Sequence, residues 1–532
     1  MGPSKPARDK GANKKAQNAS PCIGSSSSGG GRCGIGSSSS SSSRSSIDKV
    51  KKLAEDLSSP DDNQRLQATV FLANLFMNSN SNPKIASSFL AEPVLQVLSL
   101  RLIDQNAEIK TCAAGAIRNI AGHGDPHISS LLIESGIFDS IIAMISINLQ
   151  SCSQIAIDEV AYVEQLVKAV TNIYASTSQT IATDGALTSL LVETLISAPP
   201  DHLTLVQASA NLLFVITDEN PAACRQIIDS ELYKNFISKI TDISVRSSFN
   251  SSLLELFEIG ILTNIWFDQQ DLEENPNVEI IIRILFDSLS SSLKTGRPLQ
   301  ISYFSTDGEQ FTSCLKLSCE ILTNLFSMWY KNGEEVSSEH FSELANEAFS
   351  ISIECLRDLT TIQINESELY STQETDELSL CADCLLTLIG NVLGTEVVDL
   401  SKHKLNLFFE GIYPFNISKT ATVQACGSIA SDDVKISSFH VMNSILKSIL
   451  EMASNRLLIQ VLWSQLQSLQ TYILTAIRGK RADFVKPSLE ILSSIAECMN
   501  VYLINGSLDT STKQQLVGFV QVLLTITEKT FS

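Results

Sequence analysis

The sequence predicts an all-α solenoid, in which short helical units stack along one axis and each buries its apolar face on the next. Three observations predict it. A helix pattern of small residues, an aliphatic and then Asn followed by Ile, Leu or Val recurs along the chain. Apolar residues fall at three- and four-residue spacing between Pro, Gly and Asn breaks, as amphipathic helices require. Hydrophobic residues make up 44% of the chain and charged residues only 18%, ample for a core that grows unit by unit.

The fullest copy of the pattern is Thr111-Cys-Ala-Ala-Gly-Ala-Ile-Arg-Asn-Ile-Ala-Gly122. Others read Leu-Ala-Asn74-Leu, Val-Thr-Asn172-Ile, Leu-Thr-Asn264-Ile, Leu-Thr-Asn324-Leu and Ile-Gly-Asn391-Val, with Phe214 at the equivalent place in Gln207–Val215. Successive positions 74, 119, 172, 214, 264, 324 and 391 are separated by 45, 53, 42, 50, 60 and 67 residues. Armadillo and HEAT units repeat at about 40–47 residues, so this is that period stretched by insertions. The expected architecture is a right-handed solenoid of armadillo repeats over 47–290, followed by HEAT-like repeats over 291–532.

Taken in order, residues 1–46 are expected to form a disordered tail: a loose basic cluster, then a Ser/Gly tract with little apolar area to bury. Order is expected from Ile47, with apolar Val50, Leu53, Ala54 and Leu57 on one helical face. Ser59-Pro-Asp-Asp62 breaks the chain and caps a helix over 63–77, which turns Leu66, Val70, Ala73, Leu75 and Phe76 inward. Helix–break–helix units follow, punctuated at Asn82-Pro83, Gly124-Asp-Pro126, Pro199-Pro-Asp201, Asn220-Pro221 and Asn275-Pro276. The β-branched run Ile137–Leu149 could be a strand, but its length favours a helix. Loop insertions are expected near 294–310 and 365–377. Helical patterns resume at Leu378–Leu393, Phe439–Ser454, Leu457–Ile477, Pro487–Leu503 and Ser511–Thr527, the last polar enough to cap the array.

Charge is uneven. Residues 1–46 hold seven Lys/Arg and one acid, a balance of +6, which leaves −26 on residues 47–532 because the whole chain carries −20. Such a body repels nucleic-acid phosphates and attracts basic proteins; the plainer reading is that the charge keeps the protein soluble. No apolar run reaches the length of a membrane span, no secretory leader is apparent, and the twelve cysteines have no paired framework. A soluble, monomeric intracellular protein is expected, with reduced thiols, no cofactor and no metal.

Chemical motifs are sparse. Cys381-Ala-Asp-Cys384 lacks a second pair at zinc spacing and reads as two small core residues on a helix. His123 and His127 share a turn without a third ligand. There is no glycine-rich phosphate loop, GxSxG elbow or HExxH pair, so an enzyme is not expected. The asparagines admit two readings: they bond the backbone of an extended peptide lying in a groove, or each bonds a neighbouring loop or its own helix. The residues four before each Asn are Val70, Gly115, Lys168, Gly260, Glu320 and Thr387. None is aromatic, unlike the import receptors that stack lysine stems between indoles, and Trp266 is expected in the core. Three acidic segments could grip a basic partner or merely be solvated: Asp268–Glu279, Glu334–Glu347 and Glu366–Glu377.

The block Glu108-Ile-Lys-Thr-Cys-Ala-Ala-Gly-Ala-Ile-Arg-Asn-Ile-Ala-Gly122 resembles the early armadillo repeat of the symportin family, which carries an Ala-Gly-Ala-Leu-Arg-Asn-Leu-like motif. The layout is similar too: a Met-Gly start, a basic tail, armadillo units, then HEAT-like units. The resemblance implies an adaptor that collects the two basic ribosomal proteins of the 5S ribonucleoprotein particle and shuttles between cytoplasm and nucleus. A karyopherin import receptor would read its N-terminal signal, here Lys5, Arg8, Lys10, Lys14 and Lys15. The client-groove positions would be Asn74, Arg118, Asn119, Asn172 and Asn264. Acidic client contacts would come from Asp268, Asp271, Glu273 and Glu274, from Glu334 and Glu335, and from Glu374, Asp376 and Glu377. No direct nucleic-acid or membrane contact is implied. The alternative is a generic armadillo-repeat scaffold with no ribosomal role.

Overall fold

The structure, a computed structural model, describes residues 42–77, 89–150, 155–177, 185–241, 253–269, 281–286, 306–331, 339–365, 372–395 and 398. Among these residues every regular element is helical. The expected basic cluster in the tail, Asp271, Glu273, Glu274, Glu334, Glu335 and the helical patterns beyond residue 439 lie outside them. The chain divides into two compact units, residues 1–245 with 257–270 and residues 246–256 with 271–532.

Helices of the first unit fall into two rows. One contains α1 (Ser42–Leu57), α3 (Glu92–Arg101), α6 (Ile137–Leu149), α8 (Gly185–Ser197) and α11 (Tyr233–Thr241), and each of these packs on the next. The other contains α2 (Asp62–Met77), α4 (Ala107–Gly122), α7 (Ile157–Ser176) and α9 (Leu203–Thr217), again packed in sequence, and continues into α12 (Leu253–Gln269). Short helices α5 (Pro126–Glu134) and α10 (Pro221–Ile228) supply the extra turn of the third and fifth units. Two rows of successively packed helices, repeated with the period of the motif, are an α-solenoid of armadillo type.

The starts of these helices follow from their caps. Asn106 accepts from the amides of Glu108 and Ile109 to open α4. Asp125 and Asn220 do the same for α5 and α10, each with Pro at the first helical position, where a missing N–H costs nothing. Gly124 and Gly136 take left-handed backbone (φ 74° and 75°) in the turns before α5 and α6. Ile137–Leu149 is a helix, as its length predicts, and buries Ile137, Phe138, Ile141, Ile145 and Leu149. In α2 the buried stripe is Ala68, Thr69, Leu72, Ala73 and Phe76, whereas Leu66, Val70 and Leu75 are half-buried. The face is therefore rotated from the expected one, with Ala73 and Phe76 common to both. No single helix among the described residues is long and apolar enough to cross a membrane.

Within the first unit an ion-pair cluster fastens the helix pair α1–α2 to the pair α3–α4. Asp104, whose side chain is 3% exposed, receives Arg65 Nε at 3.0 Å and Arg101 Nη1 at 2.8 Å, and accepts from the Asn106 amide. Arg65 also donates to the carbonyls of Ser59 and Pro60. Burial alone would push the Asp104 carboxyl up, but the hydrogen bonds from Arg65 and Asn106 and the charges of Arg65 and Arg101 hold it below its ordinary value. One unit further on, Lys110 Nζ lies 2.7 Å from both Glu159 oxygens and 4.6 Å above the Tyr162 ring, whose hydroxyl donates to the Leu102 carbonyl.

In the second unit three long helices, α13 (Thr306–Lys331), α14 (Glu339–Asn365) and α15 (Thr372–Gly394), pack with α15 against both others. The last residues of the two expected insertions, 306–310 and 372–377, are helical.

Candidate functional site: the asparagine row

Helix α4 is the centre of the row. Cys112, Ala113, Ala114, Gly115, Ala116, Ile117 and Ile120 are all buried, so its sides are small enough for α2 and α7 to approach closely on either hand. Lys110 meets Glu159 near the start of α4 and α7, and Asn172 meets Arg118 near their ends, so the two helices run side by side in the same direction.

This close approach decides what the asparagines do. Asn119 Nδ2 donates to the Ala73 carbonyl at 3.0 Å, and Asn172 Nδ2 donates to the Arg118 carbonyl at 3.0 Å. Asn264 Nδ2 donates to the Phe214 carbonyl at 3.3 Å and to Thr217 Oγ1 at 3.1 Å. Each amide therefore reaches back to the preceding helix, at the row position or the residue before it. The three bonds are straps between consecutive helices of the row, whereas the second sequence reading expected a neighbouring loop or the asparagine's own helix as partner. Each contributes about 1 kcal/mol net, and together they fix the register of neighbouring helices.

The predicted groove residues are brought together in one row but differ in access. Asn74 is exposed on α2, Asn119 and Asn264 are half-buried, and Asn172 is 7% exposed. Arg118 is 5% exposed, and its Nε and Nη2 donate to Asn119 Oδ1 at 3.1 and 2.7 Å, which orients the amide that straps α2. Trp266 is buried, as expected. Asp268 lies on α12, and Glu374, Asp376 and Glu377 lie in the opening turns of α15.

Sequence reasoning missed the residue three beyond each row position. A Cβ on Gly122 would lie 3.0 Å from Asn172 Nδ2, so glycine there makes room for the strap. Thr217, three beyond Phe214, bonds the incoming Asn264. Ser327, three beyond Asn324, donates to Asn391 Oδ1 at 3.2 Å in the second unit. Gly, Thr and Ser at a fixed offset, the residue facing the next helix one turn on, are the signal that was available.

Cys381 is buried and Cys384 half-buried on α15; burial and the neighbouring thiol and carboxylate charges push the Cys384 thiol up, away from the thiolate that metals and nucleophilic chemistry need. Burial first, then the Glu255 charge, pushes Cys314 up to about 12. Among the described residues no group of three or more His, Cys, Asp or Glu side chains is arranged to hold a metal ion. His127 is exposed and uses its backbone amide in the α5 cap.

No protein-family model matches the chain, and no curated protein matches it. Solved structures with a related helical layout include a designed armadillo repeat protein (17% identity, 51% of this chain and 99% of that one, TM-score 0.33). Another is described as computationally designed armadillo repeat proteins for modular peptide recognition (18% identity, 51% and 99%, TM-score 0.34). An engineered protein is similar over 84% of this chain and 98% of its own (15% identity, TM-score 0.33). At these scores the likeness adds nothing to what the two helix rows establish.

Proposed function

We propose that this chain is a non-enzymatic protein-binding scaffold that holds basic partners. The observation that carries the reading is the pairing of a strapped, pre-organised row of helices with a net charge of −26 on residues 47–532. A rigid surface avoids the ordering cost of association, and an acidic one steers and holds basic segments. In the first unit the described ionic side chains serve structure: Arg65, Arg101 and Lys110 are tied to carboxylates of neighbouring helices.

The finer proposal takes the symportin resemblance further. The clients would be the basic ribosomal proteins of the 5S particle, masked in the cytoplasm, carried to the nucleus by a karyopherin that reads the N-terminal basic cluster, and released when ribosomal RNA competes. Asn74, exposed on α2, is the groove position most open to a client. Co-expression of the full chain with both ribosomal proteins, followed by size-exclusion chromatography at low and high salt, tests this. A soluble complex that weakens with salt and dissociates on adding 5S RNA is expected. Aggregated clients beside a lone solenoid would remove the ribosomal role.

One observation favours the generic scaffold instead. Ten of the fifteen residues of the block that carries the resemblance, 108–122, are buried, and Arg118 and Asn119 within it serve the strap. Packing accounts for that sequence without any client.

A further inference from the structure

Seven large apolar side chains among the described residues are more than a third exposed, and five of them lie at one edge of the first unit. This is the edge at which the helices of the first row end and those of the second begin. Leu100 is in the last turn of α3 and Ile103 follows it; Ile147 is in the last turn of α6; Ile157 and Leu203 are the first residues of α7 and α9. They are 54–67% exposed. A soluble surface tolerates single exposed aliphatics, but a set repeated at one edge, unit after unit, has the distribution of a contact surface.

The same edge is acidic. Exposed Asp61, Glu108, Asp158 and Asp201 stand at the starts of α2, α4 and α7 and in the turn before α9. The basic residues of these stretches, Arg65, Arg101 and Lys110, are each held by a carboxylate of the protein itself. The surplus charge facing outward beside the aliphatics is therefore negative. That combination fits a cationic, amphipathic occupant and disfavours a nucleic acid or an anionic membrane.

Spacing selects the form of the occupant. Packed helices stand about 8–10 Å apart, so Ile157 and Leu203, which open the adjacent helices α7 and α9, are separated by about that interval. A ligand helix places residues seven apart on one face about 10.5 Å apart, from its rise of about 1.5 Å per residue. An extended strand repeats one face at about 7 Å and falls out of step.

We propose that this edge is a docking surface for a basic amphipathic helix of a partner protein, with Ile103, Ile157 and Leu203 seating its apolar face and Glu108, Asp158 and Asp201 pairing its lysines or arginines. This rests on the scaffold reading above and assigns it a site away from the asparagine row.

The test uses the full chain and three labelled 21-residue peptides in fluorescence anisotropy: one of Lys and Leu with Leu on a single helical face, one of identical composition with Leu shuffled, and one with Ser in place of Leu. The ordered peptide is expected to bind at least ~10-fold tighter than either control, as a docked apolar face should. Ile103→Ser with Ile157→Ser and Leu203→Ser should abolish that preference while leaving the thermal melt unchanged, since all three are exposed. Asp158→Lys with Asp201→Lys should weaken all three peptides. Equal binding of the ordered and shuffled peptides, or an unaffected triple Ser variant, overturns the edge proposal while leaving the acidic scaffold standing. No binding of any peptide overturns both.

Discussion

The two compact units use the same Asn motif in different ways. In the first, helices of 16, 20 and 17 residues send the amides of Asn119, Asn172 and Asn264 across to the preceding helix of the row. In the second, α13–α15 run to 26, 27 and 23 residues, and Asn391 Nδ2 turns back to the Thr387 carbonyl of its own helix at 2.9 Å. Only its oxygen faces a neighbour, accepting from Ser327. The difference lies in the residues flanking the approach. Around α4 they are Ala and Gly, so backbones come close enough for one amide to reach a carbonyl. In α15 Asn391 follows Gly390 among Leu388, Ile389 and Val392, and there it is the Ser327 hydroxyl that meets the amide oxygen.

Substitutions can break this contrast, beginning with the cluster that anchors the first unit. Asp104→Ala leaves two arginines facing each other with their acceptor gone and should cost about 2–4 kcal/mol, read by urea denaturation at pH 7. The folded Asp104 value lies below its ordinary 3.8, so its contribution is present above that pH and is lost as pH falls through the folded value. Wild type should thus lose more stability than Asp104→Ala between pH 5 and pH 2; equal losses would assign the acid sensitivity elsewhere.

Asn172→Ala should cost about 1 kcal/mol, and Asn391→Ala distinctly less, because the latter gives up a bond within one turn. Gly122→Ala sharpens the point. In the wild-type background the added methyl meets Asn172 Nδ2 and should destabilise. In the Asn172→Ala background the same change should become neutral or stabilise by up to about 1 kcal/mol, the usual helix preference of Ala over Gly. A double-mutant cycle with no coupling would disprove the strap geometry.

Thr217→Val keeps the shape but removes one acceptor of Asn264 and should cost about 0.5–1 kcal/mol in thermal melts. At the small end, Cys314 and Cys319 should resist alkylation in the native chain at pH 8, since burial keeps both thiols protonated. Peptide mapping after native labelling that finds both modified would show the second unit to be more open than its packing implies.

The period, the helical identity of Ile137–Leu149 and the breaks at Asp125-Pro126 and Asn220-Pro221 were legible because each depends on neighbours within a few residues. The burial of Trp266 was legible from its offset of two from Asn264. The burial of Arg118 was not, since arginine is normally exposed and its acceptor, Asn119, matters only once α2 lies alongside. Nor was the direction of each Asn amide. Helical periodicity assigns a side chain to a face, while its partner depends on how near the adjacent helix comes, a distance fixed by residues some fifty positions away. The edge of exposed aliphatics was invisible for the same reason, as Leu100, Ile147 and Leu203 have no periodic relation along the chain.

The straps join points within helices, near their ends, rather than the connectors between them. The strapped steps can therefore differ, at 45, 53 and 50 residues, without disturbing how one helix of the row sits on the next, and lengthening a connector carries only a small entropic cost. A lineage built on this plan is free to experiment with its connectors, inserting recognition segments between units, while the spine that displays them keeps its alignment.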